Sequence, residues 1–203
     1  DAKLAPERRT ALITDPEDGR MPPLTPEAQA RIAANQARTR RPPEAPADRT
    51  YIERCLWWMA VGPPMLPSFA NNSPFNTLVS NYRFIQAPGY FVIVHEILHE
   101  TRVIPLDGRP HVGSTVRSWM GDSRGRWEGN TLVVETTNFI DRGQFRGAGQ
   151  NMRLVERFTR TAPDTLMYEF TVTDPTTFSK PWTASVPMIS SEGPLFEWAC
   201  HEH

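Results

Sequence analysis

The chain has 203 residues and a net charge of −1, which suits one domain with a real core and an additional arm. The near-zero charge argues against a broad basic surface for nucleic acid or a polybasic membrane patch. No apolar run approaches the ~20 residues of a membrane-spanning helix; the run Tyr90 to Val94 is far shorter.

The chain begins at Asp1 rather than Met, as either a cleaved signal peptide or a trimmed start would leave it. Residues Asp1 to Thr50 are rich in Pro, Arg and Ala and poor in aromatics, and they set off an arm from a second unit over 51–203. Thr25-Pro26-Glu27 predicts a helix start, with Thr25 as N-cap and Pro26 in the first turn. The helix should run to about Arg38 on good helix formers. Its apolar face, Ala28, Ile32 and Ala33, is thin and predicts weak docking. Pro42, Pro43 and Pro46 make a stiff linker after it. The arm then reads as a mobile extension, or as one that wraps a neighbouring subunit and builds a homo-oligomer.

Tyr51 to Phe69 adds apolar weight, and its prolines exclude a long helix. This segment is expected to cross one end of the β structure as irregular chain. From Tyr82 onward the pattern is strand, turn, strand. Tyr82 to Gln86 and Tyr90 to Glu96 flank Ala87-Pro88-Gly89. Thr101 to Leu106 ends at Asp107-Gly108. Arg126 to Glu128 and Thr131 to Phe139 flank Gly129-Asn130, a pair suited to the two-residue hairpin turns that need positive φ. Met152 to Arg160, Thr165 to Thr173, Pro181 to Met188 and Leu195 to Cys200 complete about nine strands. Short turns force antiparallel neighbours, and a long meander tends to close and bury its edges. The expected fold is therefore mainly β: an antiparallel up-and-down barrel or half-barrel, lipocalin-like in outline, with an N-terminal arm containing one helix. A two-sheet sandwich is the alternative. Period-two alternation places Leu154, Glu156 and Phe158, then Leu166, Tyr168, Phe170 and Val172, then Trp182, Ala184 and Val186 on one face. An aromatic lining with a few polar groups is how small-molecule sites are composed, although small barrels often fill their interior with side chains.

The two cysteines, Cys55 and Cys200, lie far apart and have no redox spacing. They read as a buried free pair or as a disulfide tying the arm to the last strand. We expect the bridge, worth about 4–5 kcal/mol in the chain-entropy model.

His95-Glu96-Ile97-Leu98-His99 matches the zinc-peptidase pattern, in which a helix presents two histidines to the metal and the glutamate is the base. The flanks are strand-like, however, and Arg102 and Pro105 stand where the extended pattern wants Gly and His. On a regular strand His95 and His99 would share a face. With His111 folding back after the Asp107-Gly108 turn, they and Glu96 form an alternative set for a divalent metal such as zinc. The leading expectation is a site without a cofactor. Glu96, Arg102, Asp107 and Arg109 gather on one hairpin with His111 beyond, and Glu156 lies mid-strand. A charge in mid-strand is either on the solvated face or buried with a partner. A desolvated Glu has a raised pKa and moves protons near neutral pH, and an arginine holds an anionic group. A serine nucleophile is disfavoured, because G-x-S-x-G is absent and Ser123 lies in a β context.

Several unusual strings occur in order. They are Glu53-Arg54-Cys55, Ile104-Pro105-Leu106-Asp107-Gly108-Arg109-Pro110-His111, Gly121 to Asn138, Val155-Glu156-Arg157-Phe158, Thr173-Asp174-Pro175-Thr176, Pro181-Trp182-Thr183 and Ala199-Cys200-His201-Glu202. By these the chain resembles an uncharacterised family of secreted bacterial β-rich proteins. The resemblance implies export, to the periplasm or beyond, and a β-rich fold; it implies no activity.

The functional expectation is a secreted small-molecule enzyme, a lyase, isomerase or hydrolase, working by acid/base chemistry in a β-barrel cavity. Glu96 is the expected base, His99 its orienting partner, and Arg102 the anion holder. Asp107 and Glu156 are further candidates, and Arg109, His111, Tyr168 and Trp182 are expected to bind substrate. The alternatives are a non-catalytic small-molecule binding protein and a metal-dependent enzyme at His95, Glu96, His99 and His111.

Overall fold

A computed structural model describes residues 11–49, 54, 65, 81–96, 100–141 and 147–196. The described elements are β1 (Ile13–Asp15), α1 (Pro26–Thr39), β2 (Tyr82–Ala87), β3 (Tyr90–His95), β4 (Thr101–Pro105), β5 (Asp122–Glu128), β6 (Thr131–Thr137), β7 (Arg153–Ala162), β8 (Thr165–Thr173) and β9 (Trp182–Ile189), with a 3-10 turn at Pro46–Asp48. Among the described residues the fold is mainly β with antiparallel sheets and one helix of any length. No described helix is long and apolar enough to cross a membrane.

The strands form two sheets, a six-stranded one in the order β1-β9-β8-β7-β6-β5 and a three-stranded one in the order β2-β3-β4. Each hairpin forms where a turn signal separates two runs of strand formers. At Gly129-Asn130, Glu128 pairs with Thr131 and Gly129 takes φ +60°, a conformation that costs glycine nothing. The strand before this turn starts at Asp122, four residues earlier than Arg126. Among the described residues no strand pairing closes either sheet into a barrel. The reason lies between β4 and β5. The Asp107-Gly108 turn does not lead directly into a pairing strand. Residues 106–121 intervene, and so long a connection releases β5 from the antiparallel neighbour that a short turn would impose.

The sheets meet at this corner. Gly125 on β5 has no side chain, and a Cβ there would stand 2.6 Å from Leu106 Cδ2 and 2.9 Å from Ile104 Cγ2. The inner faces then share one core. Phe91, Ile93 and Ile104 of the small sheet join Leu132, Val134, Leu154, Phe158, Tyr168, Phe170, Val172, Trp182 and Ala184 of the large one. Phe158 is the hinge of the packing, with ring centroids 5.9 Å from Phe84 and 6.3 Å from Phe91 across the layers.

The arm is docked, contrary to the expectation of a mobile extension. Its β1 pairs with β9, Ile13 opposite Ala184. Helix α1 starts as predicted: Thr25 Oγ1 accepts from Ala28 N–H at 3.1 Å and donates to Thr176 O at 2.8 Å. Ala28 is fully buried, and Arg31 reaches Gly147 O, Thr176 O and Thr177 Oγ1 at 3.0–3.2 Å. A thin apolar face suffices because hydrogen bonds to the body supplement it. This face is engaged on its own chain. Of the expected last strand, Leu195 and Phe196 are not in strand conformation, and the remainder lies outside the described residues. So do Cys55, Cys200 and their proposed bridge, and nearly all of the segment from Tyr51 to Phe69.

Candidate functional site between the sheets

Alternation along the small sheet places Tyr82, Phe91, Ile93, His95, Arg102 and Ile104 on its inner face, as the pairs Tyr82↔His95, Ile93↔Arg102 and Phe91↔Ile104 require. Across from them the large sheet presents Ser123, Thr136, Glu156 and Tyr168. The register pairs Ser123 with Thr136, and Thr136 lies on the same inner face as Val134 opposite Glu156.

Arg102 and Glu156 form a bidentate ion pair, Nη1 to Oε1 at 3.0 Å and Nη2 to Oε2 at 2.5 Å. Arg102 is 5% exposed and Glu156 is 0% exposed. Charges so deeply buried persist only when paired and hydrogen-bonded. Arg102 Nη2 also donates to Ser123 Oγ at 3.2 Å and Thr136 Oγ1 at 3.3 Å, and Tyr168 Oη donates to Glu156 Oε1 at 2.8 Å. Burial works against the Arg102 charge, but the Glu156 carboxylate outweighs it and the guanidinium's pKa rises. This network joins strands β4, β5, β6, β7 and β8. It also occupies the arginine assigned to hold an anionic substrate.

At the end of the same face, His95 N–H donates to Glu100 O at 2.8 Å. Glu100 precedes Arg102 by two residues. Burial pushes its carboxyl up to about 7, although the Arg102 charge pulls the other way. Burial lowers His95 to about 4 despite the Glu96 charge, so its ring is neutral at pH 7. The His95 and Tyr82 rings stack with centroids 4.6 Å apart and planes 16° apart. His95 Nε2 and Tyr82 Oη are both buried without a hydrogen-bond partner among the described residues, and burial raises the Tyr82 pKa.

The other expected site residues fall elsewhere. Glu96 is buried just past the end of β3, where Oε2 accepts from Asn81 N at 3.3 Å and Nδ2 at 2.8 Å and Oε1 accepts from Phe196 N at 2.9 Å. It therefore ties the entry of β2 to the chain near its C-terminal end, and both oxygens are engaged. His99 lies outside the described residues. Asp107 and Arg109 pair with each other on an exposed turn, Nε to Oδ2 at 2.8 Å, and the Arg109 hydrogen bond holds the Asp107 carboxyl down at about 2. His111 lies against the outer face of the large sheet, Nδ1 2.8 Å from Asp122 Oδ2 and Nε2 3.7 Å from Glu135 Oε1. Trp182 is buried on the inner face against Phe170 and Phe178, at centroid distances of 5.6 and 5.8 Å.

The fold thus brings Arg102, Glu156 and Tyr168 together and separates Glu96, Asp107, Arg109 and His111 from them. His95 ends a strand, not a helix turn, and His99, its partner in the zinc-peptidase pattern, lies outside the described residues. His95 and His111 belong to different faces, and no group of three metal-ligating side chains is found among the described residues. Glu100, Tyr82, Ser123 and Thr136 were not among the expected site residues. Period-two alternation outward from Arg102 to Glu100 was the available signal for the first of these. No protein-family model, curated protein or solved structure matches this chain.

Proposed function

We propose that this protein is a secreted or periplasmic small-molecule enzyme, a lyase, isomerase or hydrolase, that moves protons in the space between its two sheets. The half-barrel outline belongs to this proposal, with the small sheet as the wall that faces the large one. Export rests on the family resemblance. The observation that carries the catalytic reading is Glu100. A carboxyl held near pKa 7 accepts and returns protons at neutral pH, as a general acid/base must. The role assigned to Glu96 passes to Glu100, because both Glu96 oxygens accept hydrogen bonds from the backbone and Asn81. Arg102 acts as a positioning residue: its charge lies beside Glu100 while its hydrogen bonds are directed to Glu156, Ser123 and Thr136.

A thermal-shift ligand screen followed by product analysis of each hit tests this. Glu100→Gln is expected to lower turnover at least tenfold, about 1.4 kcal/mol in the barrier, while ligand affinity is retained. Unchanged turnover in that variant removes Glu100 from the chemistry. One observation favours a non-catalytic binding protein as the second reading: the buried Arg102 charge is paired with Glu156 within the fold, leaving an aromatic face with no free cation from this arginine. Hits that bind and are never converted support it.

A further inference from the structure

The stacked pair Tyr82 and His95 marks a place where the fold accepts a cost. Each ring ends in a buried polar atom with no hydrogen-bond partner among the described residues, and a buried polar group without a partner costs about 1–3 kcal/mol. Such groups in a native protein call for an explanation, and the two stand side by side on paired strands, ring centroids 4.6 Å apart. The Arg102 charge beside them is taken by Glu156, and the Glu96 carboxylate acts on His95. A carboxylate ligand entering here would lose its hydration without a free countercharge. The inner face continues into the aromatic core through half-buried Phe84, which lies on Phe91 at 5.8 Å, with Phe158 on Tyr168 at 4.9 Å behind them. A hydroxyl both donates and accepts, so it complements a phenolic O–H and a neutral imidazole nitrogen together.

We propose that Tyr82 Oη and His95 Nε2 form a subsite for the hydroxyl group of an uncharged aromatic alcohol or phenol bound against the inner face of the small sheet. This names the ligand class of the site described above and rests on reading the intersheet space as a small-molecule site. It does not require turnover.

The test uses phenol, benzene and benzoate as probes, with binding followed by thermal shift and calorimetry on the wild-type chain and on Tyr82→Phe and His95→Phe. Phenol is expected to bind, with benzene at least tenfold weaker and benzoate undetectable at the same concentration. Tyr82→Phe removes only the unpartnered hydroxyl. It should raise the melting temperature of the free protein by about 2–4 °C and weaken phenol at least tenfold. A hydroxyl with a purely structural partner would give the opposite sign in the free protein. If His95→Phe does not fold, Tyr82→Phe alone decides. Benzoate binding as tightly as phenol overturns the proposal. So does phenol binding that Tyr82→Phe leaves unchanged, or no phenol binding at millimolar concentration, in which case a water molecule is the natural partner. Phenol bound and dependent on Tyr82, with no hit ever converted, leaves this inference standing and removes the catalytic reading. Conversion of a charged substrate with no phenol binding does the reverse.

Discussion

Two sets of charged and polar side chains lie on opposite faces of strands β5, β6 and β7, the inner one completed by Arg102 from β4. On the inner face Arg102, Ser123, Thr136 and Glu156 form a buried cluster. On the outer face Asp122, Arg124, Glu135 and Arg153 make a ladder with His111: Arg124 Nη1 is 2.6 Å from Asp122 Oδ1, and Arg153 pairs with Glu135. Hydrogen bonds from His111, Val112 N–H and Arg124 keep the Asp122 carboxyl below its ordinary value against the effect of partial burial. Next along the ladder, Glu128 binds Arg126 and Arg157 at 2.6 and 2.9 Å. Ion-pair distances in the two regions are similar, yet their energetic meaning differs, because water screens one and the opposing sheet covers the other.

The comparison breaks most sharply at Glu156. Glu156→Gln leaves Arg102 buried beside a neutral amide, and the expected loss is about 3–5 kcal/mol by urea denaturation. Replacing Arg102 and Glu156 together by Met and Leu should recover much of that loss, since both desolvation costs vanish with the pair. A double variant no more stable than Glu156→Gln would mean that the network is worth more than its two charges.

The next effect is a pH dependence of two opposed parts. Glu100 titrates at about 7 in the fold against an ordinary 4.5. Between those values the folded protein keeps a proton that the unfolded chain has released, so stability falls as pH rises. His95 titrates at about 4 against an ordinary 6.5. In that window the unfolded chain holds the extra proton, so stability falls as pH drops. Over about pH 4.5 to 6.5 the two slopes oppose each other in the wild type. Glu100→Gln should expose the His95 slope and stabilise the protein above pH 7 by up to about 3 kcal/mol. His95→Gln should expose the Glu100 slope. Parallel stability–pH curves for all three proteins would refute both assignments.

Smaller effects belong to the outer face. Arg153→Ala should cost no more than about 1 kcal/mol, and less in high salt. Asp107→Asn, on a fully exposed turn, should leave the denaturation midpoint unchanged. A large loss at Arg153 would show that the ladder is not the solvated surface described here.

Much of the site was legible in the strand alternation. Glu156 interrupts the apolar series Leu154, Phe158 on a face that also holds Tyr168 and Trp182, and a lone carboxylate in such a series signals a buried partner. Arg102 was legible as a charge between strand formers. Their pairing was not, because the two lie 54 residues apart and nothing in either segment specifies which sheet faces which. Glu96 and Glu100 show the same limit. Each is an acid beside a strand of the same hairpin, but Asn81 and Phe196 engage one while burial near Arg102 raises the pKa of the other.

The sequence by itself determined the local structure: the Thr25-Pro26 helix start, the Gly129-Asn130 turn, eight of the nine described strands and their antiparallel neighbours within each hairpin. Those depend on dihedral preferences and period, which act over a few residues. Only the tertiary structure decided that the meander divides into two facing sheets at the 106–121 connection, that β1 joins β9, and that Arg102 belongs to Glu156. Each of these follows from burial across the layers, and burial is a property of the assembled chain, not of any stretch within it.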